Sequence, residues 1–180
     1  MFKIEIPSVE GFDNSTNTFT TISPAVTLSL EHSLVSLSKW EAKWHKPFLS
    51  KENNKSMEEI RDYVRCMSLN SNVDQSVYDN LTPDVLSKII KYIEEPMTAT
   101  TFSESSKKSN EVITSEIIYY WMISFNIPFE CQKWHLNRLL TLIRVCSIKN
   151  APSSKMSTRE ILARNKALNA QRRAKLNSRG

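Results

Sequence analysis

The chain has 180 residues, 40% of them hydrophobic and 24% charged, as in a globular protein that can bury a core of its own. Its two glycines, Gly11 and Gly180, leave residues 12–179 without one, which excludes a glycine-rich phosphate-binding loop. The net charge of +5 is uneven, because residues 151–180 hold eight basic residues and one acid (net +7) and residues 1–150 carry −2.

Two segments near the start of the chain alternate apolar and polar residues, as half-buried strands do. They are residues 2–6 and 26–30, and residues 18–22 between them are rich in β-branched and aromatic side chains. A turn-forming stretch, residues 11–17, precedes this middle segment. The patterns predict a small antiparallel sheet of two or three strands over residues 1–30.

The apolar period then changes to that of a helix. It is helical over residues 34–44, and Pro47 ends that helix. A capping box, in which Ser56 and Glu59 satisfy each other's free amides, predicts a second helix that reaches about Leu69.

Two more helices are predicted from their first residues. Thr82 followed by Pro83 is a helix start, and that helix stops at Pro96. Asn110 is the predicted cap of a helix over residues 111–126. Apolar side chains surround most of this second helix, which predicts a central position in the protein.

The C-terminal third of the chain predicts two helices of different character. One runs from a corner at residues 127–129 to about Ile148 and should pack antiparallel against the helix before it. The other opens with a capping box at Ser157 and Glu160 and reaches about Asn177. Its apolar stripe is thin, so we expect it to be loosely docked or free until a partner orders it.

Together these elements predict an α+β protein that is mainly α. A single compact domain is expected over residues 1–150, with the strands in 1–30 and the helices in 31–150, followed by a basic helical tail over 151–180. The first residues do not resemble a signal peptide, and no stretch has the length of apolar sequence that spans a membrane. A soluble protein that stays inside the cell is therefore expected, without contact with a membrane.

No pattern in the chain predicts an enzyme, a cofactor or a metal site. Cys131 and His135 have the spacing of two ligands on one helix face, but no second pair completes a zinc site. Cys66, Cys131 and Cys146 lie in apolar helical patterns, which indicates reduced thiols in a core. Glu31, His32 and Ser33 are triad residue types, but neighbours in sequence seldom meet in triad geometry.

Two groups of residues are candidates for partner binding. Trp40 and Trp44 stand four apart among basic residues, a pattern that fits a core stripe, a protein interface or base stacking. The tail contributes the second group, namely Arg159, Arg164, Arg172, Arg173 and Lys175. These basic residues suit an acidic helix of a protein partner, the phosphates of a nucleic acid, or simple solvation of the helix.

Several stretches together resemble the tail assembly chaperones of tailed bacteriophages. Among them are IIYYWMISFNIPFEC at residues 117–131 and WHLNRLLTLI at residues 134–143. The resemblance also includes residues 30–41, 46–49, 97–102, 155–157 and 164–169, and so covers nearly the whole chain.

The resemblance implies a non-enzymatic protein of the host cytoplasm that acts in tail morphogenesis. Its partner would be the tape-measure protein, whose apolar helices it keeps soluble while tail tube subunits polymerise around them. Tube subunits and further copies of the same chain are additional partners that it leaves open. Two alternatives stand beside this one: a structural head–tail connector or neck protein of the virion, and a nucleic-acid-binding protein that uses the basic tail helix.

Overall fold

The fold is α+β and mainly α, as the sequence predicts. A computed structural model describes residues 1–50, 54–102, 112–151 and 158–176. The chain divides into two compact units, Met1–Ser147 and Ile148–Gly180.

Four strands, where two or three were predicted, form the first part of the chain. They are β1 (Phe2–Ile6), β2 (Val9–Asp13), β3 (Thr18–Ser23) and β4 (Val26–Leu30). Each of the two sheets has two antiparallel strands, since β1 pairs with β4 and β2 pairs with β3. Pro7 and Pro24 separate the sheets, because a proline has no N–H to continue a ladder of hydrogen bonds.

The helices that precede the basic tail are α1 (Leu34–Trp44), α2 (Met57–Met67), α3 (Gln75–Asp79), α4 (Pro83–Glu94), α5 (Ser115–Ser124), a 3₁₀ helix (Phe129–Lys133) and α6 (Leu136–Asn150). Helices α1, α2 and α4 begin close to their predicted starts. The capping box of Ser56 and Glu59 is confirmed, and so is Thr82 as the cap of α4, with Pro83 in the first turn.

Three helices differ from the prediction. The helix predicted to follow the corner at residues 127–129 is divided into a 3₁₀ helix over Phe129–Lys133 and α6, which begins at Leu136. The short helix α3 was not predicted, because its five residues are too few to show a helical period. Helix α5 begins at Ser115, after Thr114 as its N-cap residue, and not at Glu111. The predicted cap Asn110 lies outside the described residues.

The core of the first unit consists of two clusters that share α1. Trp40 packs in one cluster with side chains of the β1–β4 sheet, α2, α3 and α4, and Leu34 and Leu37 pack in the other with α5, the 3₁₀ helix and α6. The central position predicted for α5 is therefore wrong. Tyr120 and Ile123 of α5 are 66% and 61% exposed, because a single face of that helix is buried.

The second unit contains α7 (Thr158–Leu176), the predicted basic helix. Nineteen residues make this helix about 28 Å long at the usual rise per residue. Its predicted capping residue Ser157 lies outside the described residues.

Candidate polypeptide-binding surfaces

Trp40 belongs to the core and is not placed to bind a partner, which corrects one prediction. Its side chain is 0% exposed, and its indole N–H donates a hydrogen bond of 2.9 Å to the backbone carbonyl of Glu59. The ring also meets the ring of Phe48 edge-on at 5.0 Å. At Trp40, the helical spacing of the two tryptophans therefore reflects a stripe of core residues.

Trp44 and its basic neighbours join α1 to α2. The Trp44 indole N–H and the Lys43 ammonium donate to the two carboxylate oxygens of Asp62, at 2.8 and 2.7 Å. Lys46 pairs with Glu59 in the same way. Burial by itself would raise the pKa of Asp62, but the hydrogen bonds from Lys43 and Trp44 and the positive charges of Arg65 and Lys43 together hold the pKa below its usual value. These lysines are thus engaged within the fold, which disfavours base stacking here.

A buried carboxylate sets the start of α5. Glu41 of α1 is 7% exposed and accepts hydrogen bonds from the backbone N–H groups of Phe48, at 2.9 Å, and Ser115, at 2.7 Å. Thr114, the N-cap residue, makes no side-chain capping bond, so Glu41 supplies the acceptor from another helix. The negative charge also lies at the positive end of the α5 dipole.

An apolar groove of about 380 Å³ lies between α5 and α6. Its lining is mainly apolar and aromatic: Ile113, Trp121, Phe125, Leu140 and Ile143. The exposed Arg144 and Ser147 add polar groups. The Arg144 guanidinium also stacks over the Phe102 ring, 4.1 Å from its centroid. Such a groove has the lining that accepts the apolar face of a helix.

The groove forms because α5 is apolar on more than one side. Its buried face contains Ser115, Ile118 and Met122, and the adjacent side presents the half-buried Trp121 and Phe125. The apolar pattern predicted a central position for this helix, and so the groove was not predicted. The sequence does contain an indication of the groove. Burial of one face of α5 requires a single apolar stripe, whereas Trp121 and Phe125 place aromatic side chains on a second side of the helix.

The β2–β3 hairpin presents a second exposed apolar surface. Phe12 and Phe19 are 49% and 72% exposed, and they face each other across the two strands with ring centroids 5.1 Å apart. Ile22 is 52% exposed on the same hairpin. Exposed aromatic pairs of this kind are more common at protein interfaces than elsewhere on a surface.

The five predicted basic residues of the tail, Arg159, Arg164, Arg172, Arg173 and Lys175, all lie on α7 and are exposed. Lys166 adds a sixth basic side chain. The apolar residues of this helix, Ile161, Leu162, Leu168 and Leu176, are between 40% and 76% exposed. Helix α7 thus offers basic and apolar groups together to a ligand.

Two histidines and two tyrosines form a buried polar cluster in the first unit. His32 is 2% exposed, and its Nδ1 lies 2.6 Å from the hydroxyl oxygen of Tyr63. The rings of His32 and His135 meet edge to face at 5.0 Å, and His135 Nε2 lies 3.0 Å from the backbone carbonyl oxygen of Tyr92. Burial and the nearby His135 lower the pKa of His32 to about 3. The imidazole of His32 is therefore neutral at physiological pH.

The three cysteines are free thiols, with Cys131 buried and Cys66 and Cys146 half-buried. Burial raises the pKa of the Cys66 thiol. Among the residues that the structure describes, no three side chains of His, Cys, Asp or Glu lie close enough together to hold a metal ion. No described helix is both long and apolar enough to cross a membrane.

Comparisons with protein-family models, with curated proteins and with solved structures found no match to this chain.

Proposed function

We propose that this protein is a chaperone that binds an apolar helix of another polypeptide in the groove between α5 and α6. The observation that carries the proposal is the aromatic lining of this groove by Trp121 and Phe125, whose side chains are only half-buried within the chain itself. A partner helix would cover this apolar area, and burial of apolar area is the main driving force of such association.

The proposed partner is the tape-measure protein of a tailed bacteriophage, and the proposed role is that of a tail assembly chaperone in the host cytoplasm. This part rests on the resemblance carried by residues 117–131 and 134–143, which include most of the groove lining. A tape-measure protein is a long helical chain, and its apolar faces must be covered until the tail tube forms. A groove for a single helix suits this task.

The basic helix α7 is the second contact in this proposal. Its six basic side chains would face acidic residues of the partner, and this attraction would speed association more than it adds affinity. Ile161 and Leu168, seven residues apart and therefore close to one face of the helix, would supply the apolar part of the contact.

The experiment is co-expression of this protein with the tape-measure protein encoded in the same genome, followed by affinity capture. Trp121→Ala should reduce the captured tape-measure protein about tenfold or more, since buried aromatic anchors contribute most to such interfaces. Tyr120→Ala is the matched control, because it removes an exposed aromatic side chain from α5 outside the groove lining. Equal capture by both variants would refute the groove as the binding site.

The protein content of purified virions distinguishes a chaperone from a structural virion component. A chaperone should be strongly depleted from purified virions when their proteins are measured by mass spectrometry. A stoichiometric amount in mature particles would instead identify a head–tail connector or neck protein.

Nucleic-acid binding is the second candidate function, and the exposed basic side chains of α7 favour it. Such binding would weaken steeply with salt, because each neutralised phosphate releases a counterion. Replacement of Arg172, Arg173 and Lys175 with Gln should then abolish a gel shift at low salt. The absence of any shift by the native protein at low salt would reject this function.

A further inference from the structure

In the part of the chain that the structure describes, no strand pairs with the outer edge of β1, which is therefore open, whereas β4 is covered on both sides. On one side β4 pairs with β1, and on the other it meets the segment after α2, where Ser29 O accepts from Leu69 N and Glu31 N donates to Met67 O. The backbone groups of Ser29 and Glu31 thus point away from β1. The groups of Leu28 and Leu30 therefore point toward β1.

This alternation determines which groups of β1 face outward. Ile4 lies opposite Leu28 and Phe2 opposite Leu30, so Phe2 and Ile4 use their N–H and C=O groups within the sheet. The N–H and C=O groups of Lys3 and Glu5 consequently face the open edge. Within the described part of the chain, these outward groups have no hydrogen-bond partner.

A groove adjoins this strand. It has a volume of about 730 Å³ and is lined by residues 2–5 of β1, by Thr27 of β4 and by residues of α4 that include Lys91 and Tyr92. Tyr92 stacks on Phe2 with ring centroids 4.8 Å apart, which holds α4 beside the strand. An added strand would pair with the backbone of β1 in this groove.

The charged side chains of β1 indicate which strand would pair with its open edge. In an antiparallel pair of two β1 strands with Ile4 opposite the partner's Ile4, Lys3 lies opposite the partner's Glu5 and Glu5 opposite the partner's Lys3. These positions are the ones with outward backbone groups, so each cross-strand pair gains two hydrogen bonds and an ion pair. Both side chains are exposed in the free chain.

Other registers do not match. Centring the pair on Lys3 or on Glu5 places like charges directly opposite each other, which is unfavourable. Pro7, the next outward position after Glu5, has no N–H, so the ladder ends there. A lysine alone would guard the edge against pairing. In β1, by contrast, Lys3 and Glu5 lie two residues apart, so that each faces the opposite charge on a second copy of the strand.

We infer that two copies of this chain associate edge to edge through β1, in the antiparallel register centred on Ile4. The joined strands extend the two-stranded β1–β4 sheet into a sheet that crosses the two-fold axis. The interface is isologous, as closed dimers require. It uses neither the α5–α6 groove nor α7, and so does not depend on the proposed function.

The experiment measures the dimer dissociation constant of the full-length chain by sedimentation equilibrium, without any partner protein. Lys3→Glu and Glu5→Lys should each weaken dimerisation about tenfold, because the two-fold axis places every reversal in two like-charge pairs. The double variant Lys3→Glu/Glu5→Lys restores opposite charges and should return to the native constant. Lys39→Glu, an exposed reversal on α1, should change nothing.

A backbone variant tests the ladder directly. Glu5→Pro removes an outward N–H that β4 does not use, so it should abolish the dimer and keep the fold, as judged by circular dichroism. A native chain that stays monomeric at every concentration would overturn the inference. A charge-swapped double variant as weak as the single reversals would overturn it as well.

Discussion

Acid should destabilise the first unit through His32. This side chain is 2% exposed, and no carboxylate of the described residues is bonded to it; its neighbours are Tyr63 from α2, Tyr92 from α4 and the ring of His135. A proton added to His32 would place a charge in this site with no counter-charge against it. The folded chain therefore takes up that proton far less readily than the unfolded chain does.

The magnitude follows from the two pKa values of His32. Burial and the adjacent His135 lower its pKa to about 3 in the folded chain, while the unfolded value is about 6.5. Below about pH 6.5 the unfolded state binds one more proton, so the free energy of unfolding falls by about 1.4 kcal/mol per pH unit. The loss reaches about 2 kcal/mol at about pH 5 and continues until the folded pKa is reached.

The assay is urea unfolding followed by tryptophan fluorescence, in steps from about pH 7 to about pH 5. His32→Gln removes the titrating group, and its pH slope should be smaller than the native slope by about 1.4 kcal/mol per unit below about pH 6.5. His45→Gln is the matched control, because it makes the same substitution at an exposed histidine at the end of α1.

Two results would refute this reasoning about His32. One is a His32→Gln variant whose pH slope equals the native slope. The other is a native protein whose free energy of unfolding does not change between about pH 6.5 and about pH 5. The pKa of His135 is also lowered by burial and acts in the same direction, so the variant should keep part of the native acid sensitivity.

Three further substitutions test the packing of the first unit by urea unfolding. Trp40→Ala should cost about 3–5 kcal/mol, because it empties a wholly buried site in the first core cluster; a cost below about 1 kcal/mol would contradict its place there. Glu41→Ala leaves the N–H groups of Phe48 and Ser115 without their acceptor and should cost about 2–4 kcal/mol, whereas an unchanged midpoint would show that water replaces it. Ser56→Ala removes the cap of α2 and should cost about 1 kcal/mol, and a neutral result would mean that the cap bond adds nothing.

The sequence determines the start of α1, α2 and α4, because a helix start depends on groups close together in the chain. Ser56 and Glu59 cap α2 through bonds within one turn, and Pro83 fits the first turn of α4 since its missing N–H is not needed there. Alternating residues also indicate β1 and β4, although the pattern does not show that Pro7 and Pro24 divide the strands into two sheets.

Tertiary structure decides the features that join distant residues. Trp40 and Trp44 share one sequence pattern, yet Trp40 is wholly buried within the first core cluster and Trp44 is half-buried against it. The bond from Ser115 to Glu41 crosses 74 residues, and no local pattern predicts that a glutamate on α1 sets the start of α5. The open edge of β1 likewise appears only when the far side of β4 is seen to be occupied. The local sequence determines which secondary structure each segment prefers, whereas the tertiary contacts of that segment depend on the packing of the whole unit.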